Sequence, residues 1–274
     1  EEQLEARLEN HTEYVSGLVD SVGWTVKFHA RLGSLEPLLG AMLPTARELI
    51  GMDRHPMVQQ PAFCMYDDLL EFGGEEAGSI LLPEFLPHVF SALESSNGPL
   101  RQSAAYGLGV AAEHSGLHLP PDAIEAAVNA LTGMLRFDIP EEGDFMAVEN
   151  AASALIKFAR FRADHPSVDP IPCVATALTA LPFQADQVES RDVLRWYVEA
   201  MGTVSPLLLG EDGSALPRVL MTLAECIVDH HARTAADPEE ARFDADTLAA
   251  IPDAFRAIEE ANPDLVAATM EQLP

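Results

Sequence analysis

Apolar positions along this chain recur at helical spacing. Between Leu82 and Leu93 the stripe is Leu82, Phe85, Leu86, Val89, Phe90 and Leu93. That is the i, i+3, i+4, i+7 pattern of a helix with one buried face. After a break at Ser96-Asn97-Gly98-Pro99 comes Leu100–Val110, with small residues at Ala104, Ala105, Gly107 and Gly109. The two runs predict antiparallel helices joined by a tight turn, the second approached closely by another helix. Further stripes follow the same spacing: Ile124, Ala127, Val128, Leu131 and Leu135; Val148, Ala151, Ala152, Leu155, Ile156 and Ala159; Leu216, Val219, Leu220, Leu223 and Ile227. The opening segment carries Val15, Leu18, Val19, Val22 and Val26 in the same register. Sustained alternation of apolar and polar residues is missing, so no strands are assigned.

A helix pair cannot bury its own stripe and needs neighbours, and here the pair repeats. Pairs start near Ser34, Ser79, Pro120, Asp169 and Gly213, with second helices opening near Pro56, Gly98, Asp144, Gln187 and Ala245. The spacing, about 41–49 residues, is that of HEAT and armadillo repeats. Pro61, Pro83, Pro120, Pro170 and Pro217 sit where helices are expected to start, the one helical position that does not miss a proline N–H. Pro87, one turn after Pro83, is expected to kink its helix. The fold class is therefore all-α: a solenoid of about five HEAT repeats in one elongated domain over residues 1–274. Residues 138–144 and 235–240 read as loops within repeats. The chain opens on a helix-like segment without a methionine, and the expectation is the C-terminal piece of a longer array.

Sixteen basic residues against 44 acidic ones give a net charge of −28. A phosphate backbone needs Lys and Arg to neutralise it, so direct nucleic-acid binding is excluded as an expectation. Basic partners, or high solubility alone, remain. The three cysteines, Cys64, Cys173 and Cys226, lie far apart in helical stripes and read as buried small hydrophobes. No apolar run approaches the ~18 residues of a membrane helix. His114 and His118, and the adjacent His230 and His231, lack the spacing and context of a metal site, so neither metal nor cofactor is expected.

Four runs resemble a known family. They are Cys64-Met65-Tyr66-Asp67-Asp68-Leu69-Leu70-Glu71, Leu100–Val110, Val148–Lys157, and Leu207-Leu208-Leu209-Gly210 with Leu216-Pro217. In order and spacing they resemble the closing repeats of the importin-β superfamily of nuclear transport receptors, of the importin-5 and Kap121 type. The resemblance runs from about Pro61 to Ile227, and Arg101-Gln102-Ser103-Ala104-Ala105-Tyr106-Gly107-Leu108-Gly109 is its most specific part. It implies a karyopherin shuttling between cytoplasm and nucleus rather than an enzyme. Its implied partners are basic cargo proteins with nuclear localisation signals, Ran-GTP bound mainly through N-terminal repeats absent here, and FG nucleoporins at the pore. A non-transport HEAT scaffold is the alternative.

Asp67, Asp68 and Glu71 form the sharpest acidic cluster. Asp67 and Glu71 are four residues apart and share a helix face, where like charges repel. They face either a basic cargo or an arginine of the adjacent repeat such as Arg101. Glu149 and Asn150 open a second helix; Glu149 either meets cargo or interacts with its own helix dipole, and Asn150 is a candidate to hydrogen-bond the backbone of an extended cargo peptide. Trp24, Trp196 and Tyr197 read as packing residues, with stacking on a cargo lysine the other reading of Trp196. Slots around Phe85 and Phe90 either pack in the core or take nucleoporin phenylalanines. The run Asp67-Asp68-Leu69-Leu70-Glu71 also resembles the aspartate-rich motif of all-helical isoprenoid synthases. A second such motif and a basic pyrophosphate site are both missing from the sequence, which leaves that enzyme reading as a minor alternative.

Overall fold

The computed structural model describes residues 17, 21–28, 36–136 and 144–271, and among these there are helices and no strands. A short helical stretch, 21–28, precedes α1 (Glu36–Leu49) and α2 (Pro56–Leu93). Next come α3 (Gly98–His114), α4 (Pro121–Met134), α5 (Phe145–Phe161) and α6 (Pro170–Ala177). The chain ends with α7 (Gln187–Gly202), α8 (Pro206–Leu209), α9 (Leu216–Ala236), α10 (Ala245–Ala261) and α11 (Pro263–Met270). The expected pair starts at Ser34 and the loop at 138–143 lie outside the described residues, as do Val15, Leu18 and Val19.

One boundary differs from the sequence expectation. Helical hydrogen bonding runs through Ser79, so the predicted second helix of one pair and first helix of the next form one element, α2, with Pro61, Pro83 and Pro87 inside it. Yet α2 is not straight. Tyr66 and Phe85 are 19 positions apart, about 28 Å along a straight helix. Their rings instead stack with centroids 4.8 Å apart, and the Tyr66 hydroxyl donates to Glu84 Oε1 at 3.0 Å. The element therefore doubles back between them, in a stretch containing Gly73, Gly74 and Gly78. Two antiparallel arms result, as the apolar stripe requires.

Helix starts follow local chemistry. Asn97 Oδ1 accepts from the Leu100 N–H at 2.9 Å, and Asp244 Oδ1 from Thr247 N–H at 2.7 Å. Prolines occupy the first turn of α2, α3, α4, α6, α8, α9 and α11. Capping oxygens of this kind satisfy N–H groups that have no partner within the helix.

The stripes meet in one continuous core. Leu82, Phe85, Val89, Ile124, Ala127, Leu131, Ala151, Leu155, Leu216 and Val219 are all buried. The first arm of α2, then α3, α5, α7 and α10, form a row of second helices, each resting on its successor. The small residues sit where that row is tightest. A Cβ on Gly109 would lie 3.3 Å from Ala154 Cα, and one on Gly107 would lie 2.5 Å from Asp67 Oδ1 and 3.1 Å from the Phe85 ring. Tyr197 is buried as expected, its hydroxyl donating to Val219 O at 2.7 Å. Two expectations fail. Trp24 is 74% exposed, and the Cys64 thiol is exposed while Cys173 and Cys226 are buried. Both exposed residues face the groove described below.

Gly107 and Gly133 provide a matched test of this packing. Nothing lies within 4 Å of a Cβ built on Gly133. Gly107→Ala should destabilise by about 1–3 kcal/mol through overpacking. Gly133→Ala should raise stability by about 0.5–1 kcal/mol, as alanine favours helix. Thermal melts followed by circular dichroism read both signs; two changes of equal sign would contradict the packing.

Candidate functional site

The row of second helices opens on one side into a groove of about 560 Å³. The first arm of α2 contributes Gln60, Cys64, Asp67 and Asp68, and α3 contributes Gln102, Ser103 and Tyr106. Met146 and Asn150 come from α5, Val188 and Glu189 from α7, and Asp186 from the turn before it. Gly23, Trp24 and Lys27 close one end. Four carboxylates thus face one opening, with Lys27 as its lysine. Lys27 itself lies over the Trp24 and Phe72 rings, 5.8 and 5.0 Å from their centroids.

Of the residues singled out from sequence, Asp67, Asp68 and Asn150 come together here. Asp67 is buried against Gly107, and its Oδ1 has no hydrogen-bond partner. Burial, then Asp68 and Glu71, push its carboxyl well above the ordinary aspartate value of 3.8; Lys157 only partly opposes them. Asp68 packs beside Gly23. Glu71 stands at the border, where its Oε2 accepts from the Tyr106 hydroxyl at 3.5 Å. The side-chain amide of Asn150 donates to Met146 O at 2.8 Å and to Asp186 Oδ2 at 2.9 Å.

Glu149 and Trp196 are placed differently. Glu149 is 3% exposed and lies beyond the first turn of α5, so it does not open that helix and the helix dipole does not account for it. Its carboxylate accepts from the backbone N–H groups of Gln184, Ala185 and Asp186, with Ala185 at 3.0 Å and Asp186 at 2.6 Å. It therefore shapes the turn that enters α7 in the next repeat. Trp196 is buried, and its ring lies 5.8 Å from the Arg160 guanidinium carbon, so an internal cation occupies the place proposed for a cargo lysine. Phe85 is buried in the core and Phe90 half-buried against it.

The arginine ladder also takes a different partner. Arg101 pairs with Asp144 one repeat further on, and donates to Ser95 O at 2.6 Å, instead of reaching the Asp67 cluster. Similar links span adjacent repeats elsewhere. Ser153 donates to Glu189, Lys157 Nζ lies 3.6 Å from Glu189 and 3.8 Å from Glu113, and Arg195 meets Asp244 at 3.0 Å.

Sequence reading missed Asp186 and Glu189. Asp186 Oδ1 accepts from the N–H groups of Val188 and Glu189, capping α7. An Asp followed three residues later by Glu before an apolar run is the start signature of a helix, so their position was readable; their pairing with Asn150 and Ser153 was not. His230 is likewise structural: its Nδ1 accepts from the N–H groups of Arg242 and Phe243 at 3.1 and 3.2 Å. No group of three or more potential metal ligands occurs among the described residues. No described helix is long and apolar enough to cross a membrane.

Fold and groove define a class: an α-α solenoid of HEAT type whose second helices carry an acidic trough. Comparison with known proteins agrees. No family model matches the chain. It is 26% identical over 153 residues to a probable importin-5 homolog of Dictyostelium discoideum, a match covering 55% of this chain and 14% of that protein. Over 123 residues it is 28% identical to importin subunit beta-3 of Saccharomyces cerevisiae, covering 43% of this chain and 11% of that one. The whole chain superimposes on 26% of a crystal structure of a Kap121p mutant, with a TM-score of 0.64 and 16% identity. The chain is a relative of the importin-β-type proteins, and it spans a small part of the length of those it matches.

Two substitutions separate the roles within the site. Folded Asp67 holds its proton to higher pH than the unfolded chain does. Its contribution to stability is therefore lost as pH rises from about 4 through the raised folded value. Asp67→Asn should raise stability at neutral pH by about 1–2 kcal/mol, with the gain vanishing in acid. Glu149→Ala, which removes the shared acceptor of three part-buried N–H groups, should cost about 2–4 kcal/mol. Melting curves across pH check both.

Proposed function

We propose that this array is part of a nuclear transport receptor of the karyopherin type, and that its groove holds basic segments of cargo. The observation that carries the reading is the placement of Asp68, Asp186 and Glu189, with the buried Asp67 beside them, around one opening built by successive repeats. An extended basic peptide laid across the row would meet carboxylates at its two ends, Asp68 on α2 and Asp186 with Glu189 at α7. Complementary potential raises the rate of encounter and selects the sign of the partner. The net charge of −28 extends the attraction beyond the groove.

The walls suit a lysine or arginine side chain. Trp24, 74% exposed, offers apolar area to an aliphatic stem, and the carboxylates receive the charged head. Asn150 contributes by holding Asp186 in position through its amide. The names of the relatives, importin-5 and importin subunit beta-3, support transport over a scaffold role. On this reading cargo leaves when Ran-GTP binds the receptor, FG nucleoporins carry it through the pore, and the receptor shuttles between cytoplasm and nucleus. The array then forms the C-terminal part of that receptor.

Fluorescence anisotropy with a lysine-rich peptide tests the groove. Binding should weaken steeply with added salt. Asp68→Asn combined with Asp186→Asn, which keeps a capping oxygen on α7, should weaken it about tenfold and flatten the salt dependence. Wild-type affinity and salt slope in the double variant would overturn the assignment.

A further inference from the structure

A second groove lies further along the row, between α7 and α10, with a volume of about 730 Å³. Its character differs from the first. The floor is apolar and small: Val198, Gly202, Ala250 and Ala254. The two helices touch at one end, where a Cβ on Gly202 would lie 3.7 Å from Ala254. Elsewhere the small residues leave the trough open, and Ala250 is exposed.

The rim is acidic. Glu199, Asp244, Asp246 and Asp253 surround the floor, with Arg195 as its one basic lining residue. Arg195 is already held by Asp192 at 2.9 Å and Asp244 at 3.0 Å. Asp253 pairs with Arg256 at 2.7 Å. Among the described residues, the carboxylates of Glu199 and Asp246 have neither an ion pair nor a hydrogen bond. An apolar trough with two unmatched negative charges on its rim is complementary to an apolar side chain flanked by cations. Acidic rims repel phosphate, so a nucleic acid or an anionic lipid surface does not fit.

We infer that the α7–α10 groove is a docking site for a protein segment that inserts one bulky aliphatic side chain between lysines or arginines. The aliphatic group covers Val198, Ala250 and Ala254 while the flanking cations meet Glu199 and Asp246. This site is separate from the Asp67 groove and does not depend on how that groove is used. Its recognition is mainly apolar, so it keeps affinity at salt concentrations that release a purely charged ligand.

Two peptides test the site on the intact chain: a lysine-rich peptide with one central leucine, and its leucine-to-glycine control. At high salt the leucine peptide should bind at least about tenfold more tightly than the control. Ala250→Trp, which fills the trough from an exposed position, should abolish that difference while leaving the control unchanged. Glu199→Gln with Asp246→Asn should weaken the leucine peptide without altering the leucine preference. Circular dichroism melts verify that the variants fold. Equal binding of both peptides to the wild type, or a leucine preference that survives in Ala250→Trp, would overturn the inference. Asp68→Asn with Asp186→Asn should leave the leucine preference intact, so failure at the first groove is read separately.

Discussion

The clasp of Glu149 on the next repeat sets the turn on which the first groove depends. Its carboxylate accepts three successive backbone N–H groups, from Gln184, Ala185 and Asp186. These are part-buried donors converging on one buried carboxylate, and bonds to a charged group are worth about 1.5–3 kcal/mol each. Satisfying them sets the turn, and the turn places Asp186 to cap α7 and to accept from Asn150. The same helix then carries Glu189 to Ser153 and Lys157. One carboxylate on α5 thus registers the following repeat and orients half of the acidic lining of the first groove.

The architecture has a cost that the charge pattern reveals. Stacking second helices side by side brings carboxylates from separate repeats together. With 44 acidic residues against 16 basic ones, cations are too few to neutralise them. Lys157 stands between Glu113 and Glu189 and over Tyr106, and it still leaves Asp67 destabilised as an anion. A close-packed row requires Gly107 and Gly109, and that closeness removes water which would have screened Asp67. Stability and a strongly negative groove are therefore in opposition here. Such conflicts between local stability and a charged site are expected where a surface serves recognition.

Much of the fold was legible because helix periodicity and turn chemistry are local. The stripes at Leu82–Leu93, Ile124–Leu131 and Leu216–Leu223 are buried, and the small residues of α3 lie where a second helix approaches. What failed depended on long-range geometry. The continuity of α2 through Ser79 could not be read, since the glycines at 73, 74 and 78 signal a break in sequence where the structure keeps helical hydrogen bonding. Trp24 reads as a core residue by type, yet it is exposed at one end of the groove. Arg101 was correctly suspected of bridging repeats, while its partner, Asp144, was set by a repeat offset that spacing alone leaves open. The acidic groove was half visible: Asp67 and Asp68 are adjacent in sequence, but Asp186 and Glu189 join them only through the stacking of four repeats.

Amide hydrogen exchange at Gln184, Ala185 and Asp186 tests the central claim most directly. These amides belong to a turn between α6 and α7, where exchange is ordinarily fast. If Glu149 registers the repeats, they exchange as slowly as amides inside α5, and Glu149→Gln accelerates all three together. Exchange at exposed-loop rates in the wild-type chain would contradict the account.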